Sequence, residues 1–235
     1  MKQICVYPIT DKDLIDLFNE IFDARVQAAV FFMWKFGFTL SETLSLRWED
    51  LRIGRNGDII ISLKYRDNGY GAKKGFERVI SVSEMVDLGI LSKADVVNTN
   101  IMLNLMREKF YYDPLRIINL HYKTVKDEIA RASKSAFLPI RIKPYMIRQY
   151  FIINMMKHNE IFKTIASTLR IPEKTFEILS SYDADLWKIR AISRIIGLKI
   201  STLQNYALAA FRMMDEVNEH DDHDIVINHD DDNFI

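Results

Sequence analysis

The chain has 235 residues, 49% of them hydrophobic and 27% charged, with 32 basic and 32 acidic side chains and one cysteine. That length and apolar content can build one large core or one and a half domains, and the single cysteine, Cys5, excludes a disulfide framework or a cysteine-built zinc site. The start, MKQICVYPITDKD, has no long apolar stretch, and VQAAVFFMWKFGF is too short and too interrupted by Lys35 to cross a membrane, so a cytoplasmic protein with no membrane partner is expected.

Taken in order, Thr10 is a plausible N-cap ahead of Asp11 and Asp13, and Leu14, Leu17, Phe18 and Ile21 recur at helical spacing, which predicts a first helix over Thr10 to Asp23. A second, very apolar helix spans about Val26 to Phe36, Gly37 ends it, and a third starts near Ser41. The turn signal RNGD then introduces a β-branched run, Ile59, Ile60, Ile61 and Leu63. A second run, Arg78, Val79, Ile80 and Val82, follows the glycine-rich GYGAKKG, so a small antiparallel sheet is expected here. Lys73 and Lys74 lie between the two runs; a lysine pair in such a turn reads either as solvated charge or as a contact to a phosphate backbone. Helices over about Lys93 to Phe110 and Tyr122 to Ser135 read mostly as scaffold.

Arg141 and Lys143 precede a long amphipathic run from Pro144. In it Ile147, Phe151, Met155 and His158 share a face, and Arg148 points away from that face, where it would be exposed and able to hold a phosphate. After a break at Lys157 to Asn159, Ile161, Ile165 and Leu169 begin another helix that stops before Pro172, and a short third helix leads to Tyr182. Two segments fit helix-turn-helix spacing. The first uses Ile165, Ala166, Leu169, Ile171, Phe176 and Leu179. The second, AISRIIGLKISTLQNY, fits better, with Ile192, Ser193, Ile196, Leu198, Thr202, Leu203 and Tyr206 closing two helices around Gly197. A plain C-terminal helix pair, packed on its own protomer or on a neighbour, is the competing reading.

From Asp215 onward the chain holds nine acidic residues and no lysine or arginine, leaving 32 basic against 23 acidic side chains in residues 1–214. The body is therefore suited to nucleic acid while the tail is acidic and expected to be disordered. His220, His223 and His229 fall in that tail without a regular ligand spacing, and His121 and His158 are isolated, so neither a metal nor a cofactor is expected.

Two stretches resemble the tyrosine recombinase, or phage integrase, catalytic domain. In GFTLSETLSLRWEDLRI the residues Gly37, Leu40, Ser41, Glu42, Leu44, Leu46, Trp48 and Asp50 match the family pattern, while Thr39 stands where the family has a catalytic arginine. In the Pro144–Tyr182 stretch Arg148 matches the motif's arginine and Leu169 its leucine. Tyr145 and Gln149 replace two histidines there, Arg170 a glycine and Ile171 a third histidine, and Tyr182 falls about two residues beyond the nucleophilic tyrosine's spacing. The resemblance implies a mainly α fold with a small antiparallel sheet over residues 1–182, followed by C-terminal helices over 183–214, which could serve a homo-oligomer, and a tail over 215–235. It also implies that the family's usual N-terminal DNA-clamping domain is missing.

Duplex DNA is the implied partner, with Lys73, Lys74, Arg78, Arg141, Lys143, Arg148, Lys163, Arg170, Lys174 and Lys199 as the basic residues expected to meet it. If the chain is an enzyme, the resemblance assigns Tyr182 as nucleophile, Arg148 to the phosphate and Lys74 (or Lys73) as general acid. Losing one such charge or donor typically costs about 10²–10³ in rate. With Thr39 and Ile171 in place of family residues, a non-catalytic, sequence-specific DNA-binding regulator of the phage or mobile-element repressor kind is expected first. A divergent active recombinase comes second, and a helical protein-interaction module with an acidic tail third.

Overall fold

The computed structural model describes residues 9–54, 58–66, 77–110, 115–158 and 181–209. Thr10 opens helix α1 (Asp11–Asn19) through a reciprocal cap, its hydroxyl accepting from the Asp13 amide and its own amide donating to the Asp13 carboxylate at 2.8 Å. The helix ends four residues short of the expected Asp23, because Asp23 serves as the next N-cap: its carboxylate accepts from the Arg25 amide and starts α2 (Ala24–Phe36). Such caps contribute about 0.5–2 kcal/mol each, enough to decide where a short helix begins.

Helix α2 is apolar nearly all round and lies in the middle of the molecule, its long contact running along α7 (Pro144–His158). Phe32, Phe36 and Phe38 form a ring cluster at its C-terminal end, with Phe32 and Phe38 stacked at 5.9 Å. Gly37 ends the helix at φ 64°, and the Phe151 ring of α7 lies against its Cα where a side chain would begin, so both conformation and space require glycine.

Helix α3 (Leu40–Ser45) follows and leads through a 3₁₀ turn at Trp48–Asp50 into the sheet. Strands β1 (Leu51–Ile53), β2 (Ile59–Leu63) and β3 (Arg78–Ser81) pair antiparallel in the order β1-β2-β3, with Ile61 opposite Leu51 on one side and Ile80 on the other. Ile59, Ile61, Leu63 and Ile80 face the core. The turn before β1 is fixed by the buried Asp50, which accepts from the Arg47 amide and pairs with Lys64 at 3.0 Å and Arg66 at 2.5 Å. Helix α4 (Val82–Asp87) then packs on β2 and β3, while α5 (Lys93–Lys109) and α6 (Tyr122–Ser135) pack on α2. The chain ends its described course in α8 (Ala184–Ile196) and a further helix over 200–209. Buried residues of α8, Ile189, Ile192, Ile195 and Ile196 among them, belong to the same core as α2 and α7.

The expected mainly α fold with a small antiparallel sheet is observed. Strand β1 and helix α4 were not foreseen. Among the described residues no helix is long and apolar enough to cross a membrane. Cys5, Lys73, Lys74, Lys163, Leu169, Arg170, Ile171 and Lys174 lie outside the described residues, as do the earlier helix-turn-helix candidate and the acidic tail with its histidines.

Candidate functional site

Four elements converge on a buried ionic centre: α3 supplies Glu42, β3 supplies Arg78, α7 supplies Arg148, and α8 supplies the end of its backbone. Glu42 occupies the third position of α3. One carboxylate oxygen accepts from the Thr39 amide at 2.7 Å, while the Thr39 hydroxyl accepts from the Glu42 amide, closing a capping box. The other oxygen takes Arg78 Nη1 at 2.6 Å. Glu42 is 5% exposed and Arg78 7%, so this is an ion pair withdrawn from water.

The two arginines also complete a helix end. The last carbonyls of an α-helix have no partner within it. In α8 the Ser193 carbonyl accepts from the amides of Gly197 and Leu198, and the Arg194 carbonyl accepts from Gly197, with Gly197 at φ 68°. That leaves Ile195 and Ile196. Arg78 Nε donates to the Ile195 carbonyl at 2.7 Å, and Arg148 Nη2 donates to the Ile196 carbonyl at 2.9 Å. Two cations thus meet the end of the helix that carries partial negative charge of about half an elementary charge. A Cβ at Gly197 would lie 2.6 Å from Arg78 Nη1, so the turn approaches the guanidinium as closely as glycine permits.

Electrostatics follow from this packing. Burial is the largest influence on Glu42 and works to raise its carboxyl, but the charge and hydrogen bond of Arg78, the charge of Arg148 and the Thr39 amide together hold it below the ordinary glutamate value. Burial likewise acts most on Arg148 and lowers it, with Glu42 opposing and the like charge of Arg78 adding to the effect. Arginine stays charged regardless. Arg78 Nη2 and Arg148 Nε are buried without an acceptor among the described residues, so the centre has more donors than it uses.

Arg148 and Arg78, both expected at the surface, are placed further inside. Arg148 is half-buried and not freely exposed: Met146, Ile147, Phe151, Ile152, Met155 and Met156 of α7 are buried beside it, and its Nη2 is held by the Ile196 carbonyl at the end of α8. Arg78 is not on the surface either. It alternates in phase with Ile80, whereas Val79 between them is exposed, so its inward direction could have been read from the strand's period of two. The Ile195 and Ile196 carbonyls had no signal of their own beyond the Gly197 stop.

The other candidates scatter around this centre. Arg141 and Lys143 are exposed before α7, and Arg141 lines a groove of about 610 Å³ with Arg131, Lys134, Leu138 and Ile140. Lys199 is exposed and lines a second groove, of about 470 Å³, with Trp187, Arg190 and Arg194. Tyr182 precedes the Asp183 cap of α8 and is 88% exposed. Thr39 is held as the N-cap of α3.

A mainly helical domain with a three-stranded antiparallel sheet is the tyrosine recombinase catalytic-domain-like fold. Among solved structures, the crystal structure of the XerA recombinase matches with a TM-score of 0.54 and 17% sequence identity, over 93% of this chain and 65% of that one. This chain thus spans slightly less than two thirds of that recombinase's length. A crystal structure of the XerH site-specific recombinase bound to its palindromic difH substrate, a post-cleavage complex, matches at a TM-score of 0.49 and 13% identity, over 92% of this chain and 53% of that one. No family model and no curated protein matches the chain.

Proposed function

We propose that this chain is a duplex-DNA-binding regulator on a recombinase fold, of the repressor kind found in phages and mobile elements, without strand-cleavage chemistry. The observation that carries this reading is the closed ionic centre. Cleavage through a tyrosine needs cations and donors turned toward the phosphate in the transition state, where loss of one donor typically costs about 10²–10³ in rate. In this chain Arg148 is spent on the Ile196 carbonyl, Arg78 on Glu42 and the Ile195 carbonyl, and Thr39 brings no charge. Affinity for DNA then rests on the surplus of 32 basic over 23 acidic side chains in residues 1–214, through exposed groups such as Arg141, Lys143 and Lys199.

The test joins two measurements on the full chain. Binding to duplex DNA should weaken linearly on a log–log plot against salt, and a nicked suicide duplex should trap no covalent product. Duplex binding with no salt dependence, or none at all, would favour a protein-interaction module instead. The exposure of Tyr182 favours a second reading, a divergent active recombinase in which the resemblance assigns Tyr182 as nucleophile, Arg148 to the phosphate and Lys74 as general acid. In that case Tyr182→Phe should abolish a covalent adduct and leave affinity nearly intact, since only a transition-state hydroxyl is lost. Under our reading Tyr182→Phe behaves as the parent in both assays.

A further inference from the structure

Residues 184–209 form two helices joined by a three-residue turn, 197–199. Three features fix that turn. Gly197 adopts the left-handed conformation, the Ser193 hydroxyl donates to the Leu198 carbonyl at 2.5 Å, and the preceding helix end is bound by Arg78 and Arg148. The inner faces are apolar: Ile189, Ile192 and Ile196 on α8, and Ile200, Leu203 and Ala207 on the second helix, each at i, i+3 and i+7 spacing, are all buried in the common core. A small residue at 193, glycine in the turn and this apolar seam are what a helix-turn-helix unit requires to hold its second helix at a fixed angle.

One polar side of the second helix is suited to a nucleic acid. Ser201, Gln204 and Asn205 lie at i, i+3 and i+4, so they share one side beginning in its first turn, Ser201 exposed and Gln204 and Asn205 half-buried. Serine, glutamine and asparagine are side chains that hydrogen-bond base edges in the major groove, the amides pairing with adenine at two points. Flanking them, the groove of about 470 Å³ between the two helices is lined by Arg190, Arg194 and Lys199 with Trp187. Arg194 is paired with Glu84, whereas Arg190 and Lys199 are exposed and make no ion pair with a described residue. Two exposed cations lining one groove next to a polar helix side complement a phosphate backbone that runs alongside a base-reading helix.

We propose that the helix over 200–209 is the base-reading element of this protein. It enters the major groove with Ser201, Gln204 and Asn205 toward the bases and with Lys199 and Arg190 on adjacent phosphates. The inference rests on the DNA-binding reading above and extends it. It also gives the ionic centre a purpose in that reading: the arginines hold no phosphate and instead anchor the reading unit rigidly to the body.

The experiment selects bound duplexes from a random-sequence pool with the full chain. Equilibrium binding of a selected and a scrambled duplex at two salt concentrations is then compared for the parent, Gln204→Ala/Asn205→Ala and Lys199→Ala. The parent should prefer the selected duplex. The double variant should lose roughly ten- to hundredfold in affinity for the selected duplex and almost nothing for the scrambled one, because base contacts discriminate. Lys199→Ala should weaken both about equally and lower the salt slope by about one. Melting curves of both variants matching the parent's confirm that the losses are not of folding. Undiminished preference in the double variant would overturn the inference and leave duplex binding standing. So would a loss of self-association in place of sequence preference, since the helix pair would then be a contact between protomers. A parent that binds duplexes without preference defeats base reading, and a parent that binds no duplex defeats the functional proposal as well.

Discussion

Arg78→Met is the sharpest perturbation of the ionic centre, because methionine keeps most of the volume and removes the charge. It leaves the Glu42 carboxylate, 5% exposed, without its 2.6 Å partner, and a buried charge deprived of its partner costs about 3–5 kcal/mol. It also leaves the Ile195 carbonyl without its donor, at about 1–3 kcal/mol. The two losses overlap, since water admitted to one site serves the other, and a total of about 4 kcal/mol is expected in urea unfolding followed by circular dichroism. Adding Glu42→Gln to Arg78→Met removes the stranded charge and should restore about 2 kcal/mol. The pH dependence carries a sign. In the parent the Glu42 carboxyl is held below its unfolded value, so its contribution to stability is present above the unfolded pKa and lost as pH falls through the folded one. Without Arg78, burial is opposed only by the Arg148 charge and the Thr39 amide, so the advantage shrinks or reverses. The deficit of the variant is therefore largest near neutral pH and narrows on acidification toward about pH 4. A variant with the parent's stability at every pH, and a weaker salt-dependent hold on DNA, would show Arg78 to be a surface phosphate contact and refute the closed centre.

Three further outcomes follow from the same geometry. Gly197→Ala, which adds a Cβ 2.6 Å from Arg78 Nη1 at φ 68°, should cost at least about 1–2 kcal/mol by the same urea assay, and a neutral result would mean the turn is not anchored there. Arg148→Ala orphans the Ile196 carbonyl and should lower stability by about 1–3 kcal/mol while leaving the salt slope of duplex binding unchanged; a reduced slope at full stability would return Arg148 to the DNA surface. Removing the chain from Asp215 onward takes away nine acidic groups and should tighten binding to non-specific duplexes at low salt, an effect that fades as salt rises; weaker binding would assign the tail another role.

Element positions were legible where local chemistry sets them. The Thr10 cap, the Gly37 and Gly197 stops, the alternating β2 run and the periodic α5 and α6 all appear close to where spacing puts them, because each depends on neighbours a few residues away. The end of α1 and the start of α2 differ from the spacing because Asp23 caps the second helix instead of closing the first. The candidate site was less legible. A periodic pattern shows which residues leave an apolar face but not whether another element covers that side, and α8 covers Arg148 from 48 positions away. Arg78 is the opposite case: its inward direction is carried by the alternation of β3, with Ile80 buried and Val79 exposed.

The bond from Arg78 to the Ile195 carbonyl spans 117 positions of sequence, among the longest separations in the molecule. Contacts of such separation close large loops and tend to form late in folding. Glu42 and Arg78 are made early in synthesis, at about 5–20 residues per second, yet the helix end that completes their shell follows more than a hundred residues later. Until then a charged pair must remain hydrated at the heart of the incomplete body. The amides of β3 and α8 should accordingly gain protection from hydrogen exchange in one step and lose it in one step, so that the helix pair over 184–209 opens with the core instead of fraying from it.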